Sequence, residues 1–161
     1  MSERSGTTAR VRVREATAAD APAAAAAVED LLVELGGERP SAAELEAATR
    51  RLIDDEDAGL LLIAEVDGKL AGICAASWQH AIHVPGRYAT IQDLWVNRDW
   101  RSLSLGRELI EALVEQAGAR GISRLEVGLP QASFAAIEAT ERFYLTNGFE
   151  PLGPRMRLLL Q

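Results

Sequence analysis

Apolar residues change their spacing several times along the chain, and each change predicts a new element of secondary structure. Valines alternate with arginines over residues 10–14, which is typical of a strand with one buried face. Helical spacing follows, with two capping-box signals, Thr17 with Asp20 and Ser41 with Glu44. The elements predicted for this part are a strand at 10–14, a helix from Ala18 to about Leu35 and a helix from Ser41 to about Asp54.

The middle of the chain predicts an antiparallel meander. Two apolar runs, 60–66 and 70–78, flank the turn Asp67-Gly68-Lys69, and a short Asp-Gly turn between such runs is a strong hairpin signal. A third strand is predicted at 88–96, and the segment 97–103 after it is rich in arginine and tryptophan and reads as irregular.

The rest of the chain completes an α/β pattern. The further predicted elements are a helix from Leu105 to about Gly118, a strand at Leu125–Val127, a helix from Phe134 to about Thr146, and strands near Phe149–Glu150 and Arg155–Leu160. This order favours one mixed, mostly antiparallel sheet flanked by helices on both faces. We expect a single domain over residues 1–161, with 1–9 flexible, because no repeat or long linker divides the chain.

The amino-acid composition limits the classes of partner that we expect. The chain has 17 Lys and Arg against 24 Asp and Glu, a formal net charge of -7, whereas binding to phosphate backbones needs a clustered basic surface. Nucleic acid is therefore not expected as a partner. No uncharged apolar run reaches the roughly 18 residues of a spanning helix, so no membrane partner is expected either. The single cysteine, Cys74, excludes an intrachain disulfide and favours a cytoplasmic protein.

Metal and thiol chemistry find little support. His80 and His83 stand three apart in a loop without a nearby carboxylate cluster, so no metal site is expected. Cys74 lies between Ile73 and Ala75 in an apolar run, which suits an inert buried thiol.

The junction between the third meander strand and the next helix carries the most chemical information. Ser102, Ser104 and Gly106 let the backbone approach a ligand closely where the helix begins. The first-turn N–H groups of a helix lack partners and lie at the positive end of its dipole, so an anion such as a phosphate can bind them. The same small residues would also suit a tight turn that binds no ligand.

This junction resembles the pyrophosphate loop of the GNAT superfamily of acyl-CoA-dependent N-acyltransferases. That loop has Arg or Gln, two residues, Gly, one residue and then Gly or Ala, directly after the fourth strand, and Arg101, Ser104 and Gly106 stand at these positions. Ser102 and Ser104 depart from the glycines common in the family. Serine disfavours positive φ, so we expect a slightly reshaped loop. The order of predicted elements is the one this fold requires.

A second motif supports the same resemblance. In the family's closing motif a helix carries a tyrosine four residues before a Gly-Phe pair, and Tyr144 precedes Gly148-Phe149 in this way. The resemblance implies that Tyr144 is the general acid that protonates the leaving thiolate; otherwise it is an aromatic that packs on the sheet. The family often has Asn seven residues before this tyrosine, where this chain has Ile137, so that cofactor contact is either absent or supplied elsewhere, for example by Ser133.

The resemblance also implies acetyl-CoA as co-substrate. The pantetheine arm would pair with backbone of the fourth strand, and the pyrophosphate would bind the loop. The implied cofactor-binding residues are Leu94, Trp95, Val96, Arg101, Ser102, Leu103, Ser104, Leu105, Gly106 and Arg107. Leu94 to Val96 also suit a strand core, and Arg101 also suits a solvated surface.

The general base is the open question of the mechanism. Polyamine-type members often have Glu at the position of Gln92, which cannot accept a proton usefully. Asp93 is the candidate base, although neighbouring strand residues point to opposite faces and Asp93 could instead brace the loop. Glu126, His80, His83 and a water-mediated route are alternatives.

The acceptor predicted from the resemblance is a primary amine of a small molecule. Acidic and aromatic side chains around the expected acceptor cleft would attract a cation: Glu34, Glu38, Glu44, Trp78, His80, His83 and Tyr88. A protein N-terminus is an alternative acceptor. A non-catalytic acetyl-CoA-binding module and an unrelated ATP-binding α/β protein are alternative functions. The apolar end Leu158–Leu160 suits a homodimer or a core strand.

Overall fold

The computed structural model describes residues 8–160. These residues form two compact units, one that ends at Glu126 and one that begins at Val127. The prediction of a flexible start at residues 1–9 falls mostly on residues 1–7, which lie outside the described part of the chain.

Eight helices and strands begin in the first unit, in the predicted order. They are β1 (Val11–Glu15), α1 (Ala21–Leu35), α2 (Ala42–Asp54), β2 (Gly59–Val66), β3 (Lys69–His80), β4 (Arg87–Val96), α3 (Leu105–Ala119) and β5 (Leu125–Val127). Short 3₁₀ segments precede α1 at Ala18–Asp20 and follow β4 at Arg98–Leu103.

Local sequence signals account for several of these boundaries. Asp67 and Gly68 both have positive φ, +50° and +80°, as a two-residue turn that matches the strand twist requires, and this turn joins β2 to β3. Ser41 Oγ accepts the N–H of Glu44, whose carboxylate accepts the N–H of Ser41, so the predicted capping box opens α2.

The sheet has the strand order β1-β2-β3-β4-β5 and is antiparallel from β1 to β4. The start of β4 is joined to the segment before β5, where the N–H of Ala89 donates to the C=O of Arg124 at 2.9 Å. α1 and α2 cover one face through an apolar cluster, whose buried members are Ala24, Ala27, Leu61, Ile63, Ile73, Ala75 and Trp95. α3 packs against β2, β3 and β4, and its Leu105, Leu109 and Leu113 are fully buried. The mixed α/β class is confirmed.

The described residues of the second unit contain one helix, α4 (Ile137–Thr146). It begins later than the predicted Phe134, because a turn closed by the N–H of Ile137 and the C=O of Phe134 comes first and Ala136 offers no side-chain cap. The predicted stop is confirmed: Gly148 has φ +88°, and the N–H of Phe149 donates to the C=O of Tyr144. This bond closes a helix end of the Schellman type.

The two predicted C-terminal strands are wrong for the described residues, since 149–160 contain no strand. Pro151 and Pro154 have no N–H to donate to a ladder, and Gly153 between them has φ +141°. Beyond them Met156, Leu158 and Leu160 alternate as in a strand but are 99%, 83% and 87% exposed.

Among the described residues, no helix is long and apolar enough to cross a membrane.

Candidate active site

A bulge in β4 determines where its acidic residue lies. Asp93 stands opposite Ala75 on β3, but Ile91, not Gln92, stands opposite Ala76. Gln92 is therefore the extra residue of the bulge. Its side chain is exposed, and its Nε2 donates to Ser77 Oγ at 2.8 Å.

The bulge places Asp93 on the sheet face that α1 and α2 cover. Residues directly opposite in an antiparallel pair share a face, and Ala75, the partner of Asp93, belongs to the apolar cluster on that side. Trp95, two positions further along β4, belongs to the same cluster. Asp93 and Trp95 are therefore neighbours on one face.

The environment of Asp93 suits a proton acceptor. Burial raises the pKa of its carboxyl group above the ordinary value, because a buried charge is poorly solvated. Within residues 8–160 the carboxylate makes no hydrogen bond or ion pair that would hold its charged form. A carboxylate with a raised pKa binds a proton more readily than an exposed one.

The loop after β4 presents the start of α3. The 3₁₀ segment Arg98–Leu103 leads to Ser104, which has the left-handed conformation φ +57°, ψ +27°. The first hydrogen bond that starts α3 runs from the N–H of Glu108 to the C=O of Ser104 at 3.1 Å. The N–H groups of Leu105, Gly106 and Arg107 precede it and have no acceptor within the helix. They lie at the positive end of the helix dipole.

Ser104 refines the expectation of a reshaped loop. Serine takes the left-handed conformation itself, although such a conformation costs an L-residue about 1–2 kcal/mol. Ser102 lies within the preceding 3₁₀ segment and not at a positive φ. Only one of the two serines therefore occupies a position where glycine would be favoured.

Three arginines lie along the loop and the start of α3, and each pairs with a carboxylate; Arg98 lies 3.5 Å from Glu34. Arg101 donates from Nε to the C=O of Val96 at 3.0 Å and from Nη2 to Glu34 at 2.9 Å, which ties the loop to β4 and α1. Arg107 donates to Glu111, one turn further along α3, at 2.7 Å. Glu34 thus faces two guanidinium groups with one negative charge, so the positive character of the loop rests both on its backbone amides and on these side chains.

The resemblance assigns pantetheine binding to three residues of β4, and one backbone edge of these residues pairs with β3. Leu94, Trp95 and Val96 stand opposite Cys74, Ile73 and Gly72.

Tyr144 lies on α4, in the second unit. The residue is 8% exposed, and its ring makes edge-to-face contacts with those of Phe143 and Phe149, each with ring centroids 5.2 Å apart. Asp93 belongs to the first unit.

The alternative bases have other partners or open surroundings. Glu126 accepts hydrogen bonds from Arg124 at 3.0 and 2.7 Å, and the His83 ring lies 6.5 Å from that of Tyr88. Burial raises the pKa of the Cys74 thiol to about 12, with a smaller contribution from the charge of Asp93, so this thiol stays protonated near neutral pH. The part of the chain that the structure describes holds no group of three or more potential metal ligands.

An open groove of about 290 Å³ lies beside the end of β4. It is lined by Asp30, Val33 and Glu34 of α1 and by Trp95, Asn97 and Arg98. Sequence reasoning did not single out Asp30 or Arg98 and assigned Trp95 only a backbone role. The helical spacing of Asp30 and Glu34 was the one available signal, because residues four apart share a helix face.

A family model and a curated relative both point to acetyltransferases. A model of the acetyltransferase (GNAT) family matches residues 25–149. The chain is 33% identical over 95 residues to the IAA acetyltransferase of Azospirillum brasilense, a match that covers 58% of this chain and 60% of that protein. The chain thus spans about 60% of the length of this curated relative.

Solved structures share the fold at low identity. The ribosomal-protein-alanine N-acetyltransferase of Brucella melitensis biovar Abortus 2308 superposes with a TM-score of 0.74 at 20% identity, covering 94% of this chain and 100% of that one. The glucosamine-6-phosphate N-acetyltransferase of Arabidopsis thaliana superposes with a TM-score of 0.72 at 15% identity, covering 94% and 99%.

Proposed function

The chain belongs to the acetyltransferase (GNAT) family, and from this premise we propose that it transfers the acetyl group of acetyl-CoA to a primary amine of a small molecule. The observation that carries the proposal is the start of α3, where a left-handed Ser104 leaves first-turn amides available to an anion. The pyrophosphate of acetyl-CoA is such an anion.

The proposed cofactor contacts follow the family pattern. Backbone groups of Leu94, Trp95 and Val96 pair with the pantetheine arm, and the loop from Arg101 to Arg107 holds the pyrophosphate. Ile137 stands where the family often has an asparagine, so we assign the missing contact to Ser133. Arg101 acts here as a brace, because its guanidinium already binds Glu34 and the C=O of Val96.

The proposed reaction is direct attack of the amine on the thioester. The nitrogen forms a bond to the carbonyl carbon, the C–S bond breaks, and CoA leaves as a thiolate. Asp93 accepts the proton that the amine loses, and its burial without a partner in the described chain supports this role. Tyr144 donates the proton that the thiolate takes up, which its place in the closing motif supports.

The test is release of free thiol from acetyl-CoA across a panel of primary amines. We expect turnover with some amines and a fall of about 10²-fold in kcat for Tyr144→Phe, with the Kd for acetyl-CoA nearly unchanged. Circular dichroism verifies that the variant is folded. Full activity of Tyr144→Phe would show that the phenol is not the general acid.

A non-catalytic acetyl-CoA-binding module is the second candidate, favoured by Gln92 and Ile137 at positions where catalytic members often have Glu and Asn. This candidate predicts tight binding of acetyl-CoA and no thiol release with any amine. A protein N-acetyltransferase predicts turnover with amino-terminal peptides but not with free amines, so the same panel with peptides added separates the three.

We also propose that the protein is cytoplasmic and that it forms a homodimer. The exposed apolar side chains of the C-terminal segment, among them Leu158 at 83% and Leu160 at 87%, support self-association. Light scattering of the full chain during gel filtration measures the mass, and a monomer at all concentrations would contradict the dimer.

A further inference from the structure

Glu34 joins the last turn of α1 to the loop after β4. Its carboxylate accepts twice from Arg101 Nη2, at 2.9 Å on Oε1 and at 3.2 Å on Oε2, and Oε1 also lies 3.5 Å from Arg98 Nε. The Glu34 side chain is 22% exposed, whereas those of Arg98 and Arg101 are 76% and 45% exposed. One half-buried carboxylate on α1 thus contacts two guanidinium groups of the loop.

Arg101 carries this contact to the end of β4. Its Nε donates to the C=O of Val96 at 3.0 Å while its Nη2 reaches Glu34, so one guanidinium group links β4 to α1. Arg101 lies within the 3₁₀ segment Arg98–Leu103, which ends at the left-handed Ser104. A strained backbone conformation persists only where surrounding contacts fix it. The link through Glu34 is one of the contacts that fix this segment.

The position of Glu34 within α1 is unfavourable for a carboxylate on its own. Glu34 stands next to Leu35, the last residue of α1, where the helix dipole is negative, and the last turn of α1 contains no basic residue. Arg98 and Arg101 supply the missing positive charge from the loop. The carboxylate therefore stabilises the contact with the loop and not α1 itself, so its removal should leave the helix intact.

The charge of Glu34 and its contacts have opposite effects on an anion that binds the loop. A carboxylate repels an anion, so by charge alone its removal should strengthen binding. Ordering a loop on binding costs free energy, so loss of a contact that orders the loop beforehand should weaken binding. Asp30, one turn earlier on α1, separates the two effects, because its exposed carboxylate makes no ion pair or hydrogen bond within residues 8–160.

We propose that Glu34 is a positioning residue that holds the loop in its anion-binding conformation. Its loss then weakens the binding of acetyl-CoA, although it removes a negative charge from the side of the loop. This role differs from the attraction of a cationic acceptor that the charge pattern predicts for Glu34. The identity of the anion as acetyl-CoA rests on the proposed function, whereas the contact that holds the loop does not.

Titration calorimetry with acetyl-CoA compares the wild type with Glu34→Gln and Glu34→Ala. Glutamine keeps an acceptor oxygen for Arg101 without the charge, and alanine keeps neither. We expect the Kd to rise about two-fold for Glu34→Gln and about five- to ten-fold for Glu34→Ala. Charge alone predicts the reverse, an equal fall in Kd for both variants. A Kd of Glu34→Ala that is unchanged or lower overturns the proposal.

Asp30→Asn is the matched control, because it removes the same charge from the same helix. Its Kd for acetyl-CoA should stay within about two-fold of the wild type, as expected for a surface charge. A rise equal to that of Glu34→Ala would refute the assigned contact. In thiol-release assays Glu34→Ala should raise the KM for acetyl-CoA and leave the KM for the amine within about two-fold. A rise in the KM for the amine alone would assign Glu34 to the acceptor and overturn the proposal.

The loop can also be observed without any ligand. In the ¹⁵N-labelled full chain, the backbone amide resonances of Leu105, Gly106 and Arg107 should shift in Glu34→Ala and keep their positions in Asp30→Asn. Thermal unfolding verifies that both variants are folded. Resonances that do not move in Glu34→Ala would refute the positioning role. If they move but the wild type does not bind acetyl-CoA, the proposed function fails and the positioning of the loop by Glu34 stands.

Discussion

Replacing Asp93 by asparagine removes a half-buried carboxylate and keeps the size of the side chain. If Asp93 is the general base, the loss is about 10²–10⁴-fold in kcat/KM, which corresponds to about 3–5 kcal/mol of transition-state stabilisation. A base acts in its ionised form, and burial raises the pKa of Asp93. The wild-type rate should therefore rise with pH through that raised pKa, and Asp93→Asn should lack this rise.

Asp93→Asn should also raise the free energy of unfolding at neutral pH. Because the pKa of Asp93 is raised by folding, the folded protein binds more protons than the unfolded chain between the unfolded and folded pKa values. The free energy of unfolding falls as pH rises through this window and stays lower above it. Asparagine does not ionise, so the variant should be more stable than the wild type at neutral pH and equally stable at low pH.

Two assays on the same samples test the predicted loss of activity and the predicted gain in stability. Thiol release across pH gives the rate profile, and urea unfolding at acidic and neutral pH gives the free energy of unfolding. Asp57→Asn, at an exposed carboxylate outside the sheet, is the matched control and should change neither the rate profile nor the free energy of unfolding. Full activity of Asp93→Asn at every pH would refute the base assignment in favour of a water-mediated route, and a loss of stability at neutral pH would refute the reasoning from burial.

Two further predictions concern stability, each measured by thermal or urea unfolding. Ser104→Gly should stabilise the protein by about 0.5–1 kcal/mol because it relieves a left-handed serine, whereas Ser102→Gly should destabilise it by a similar amount; the same sign for both would contradict this account. Arg14→Gln should cost about 1–2 kcal/mol at neutral pH, because Arg14 binds both Asp20 and Glu65 at 2.7 Å. The hydrogen bond to Arg14 lowers the pKa of Asp20, so the cost should shrink as pH falls below about 4 toward that lowered pKa, and a cost that does not depend on pH would exclude this pair as its source.

Elements fixed by neighbouring residues could be predicted from the sequence. The β2–β3 turn needs only two residues that accept positive φ, and Asp67-Gly68 provides them. The start of α2 needs only Ser41 and Glu44 at the correct spacing. Both signals are complete within four residues, so no knowledge of the rest of the fold was required.

The features that define the candidate site depend on contacts between distant segments. The bulge at Gln92 exists only because β4 pairs with β3, and without it Asp93 and Trp95 could not be assigned to the face under α1. The C-terminal alternation around Met156 looks like a strand in sequence, but alternation gives no information about whether a partner strand is present. Pattern alone therefore located the candidate residues and could not decide which of them share a face.

The charge of the loop shows why net charge is a poor guide to what this chain binds. A formal charge of -7 argues against an anionic ligand, and the obvious remedy is the pair of arginines that flank the loop. Arg107 is bound to Glu111, but Arg101 shares the single carboxylate of Glu34 with Arg98, so the loop keeps a surplus positive charge. This surplus adds to the row of first-turn amides at the start of α3, whose direction is set by the backbone and does not depend on overall charge. Glu34 also lines the groove beside β4, so one carboxylate both braces the loop through Arg101 and borders this groove.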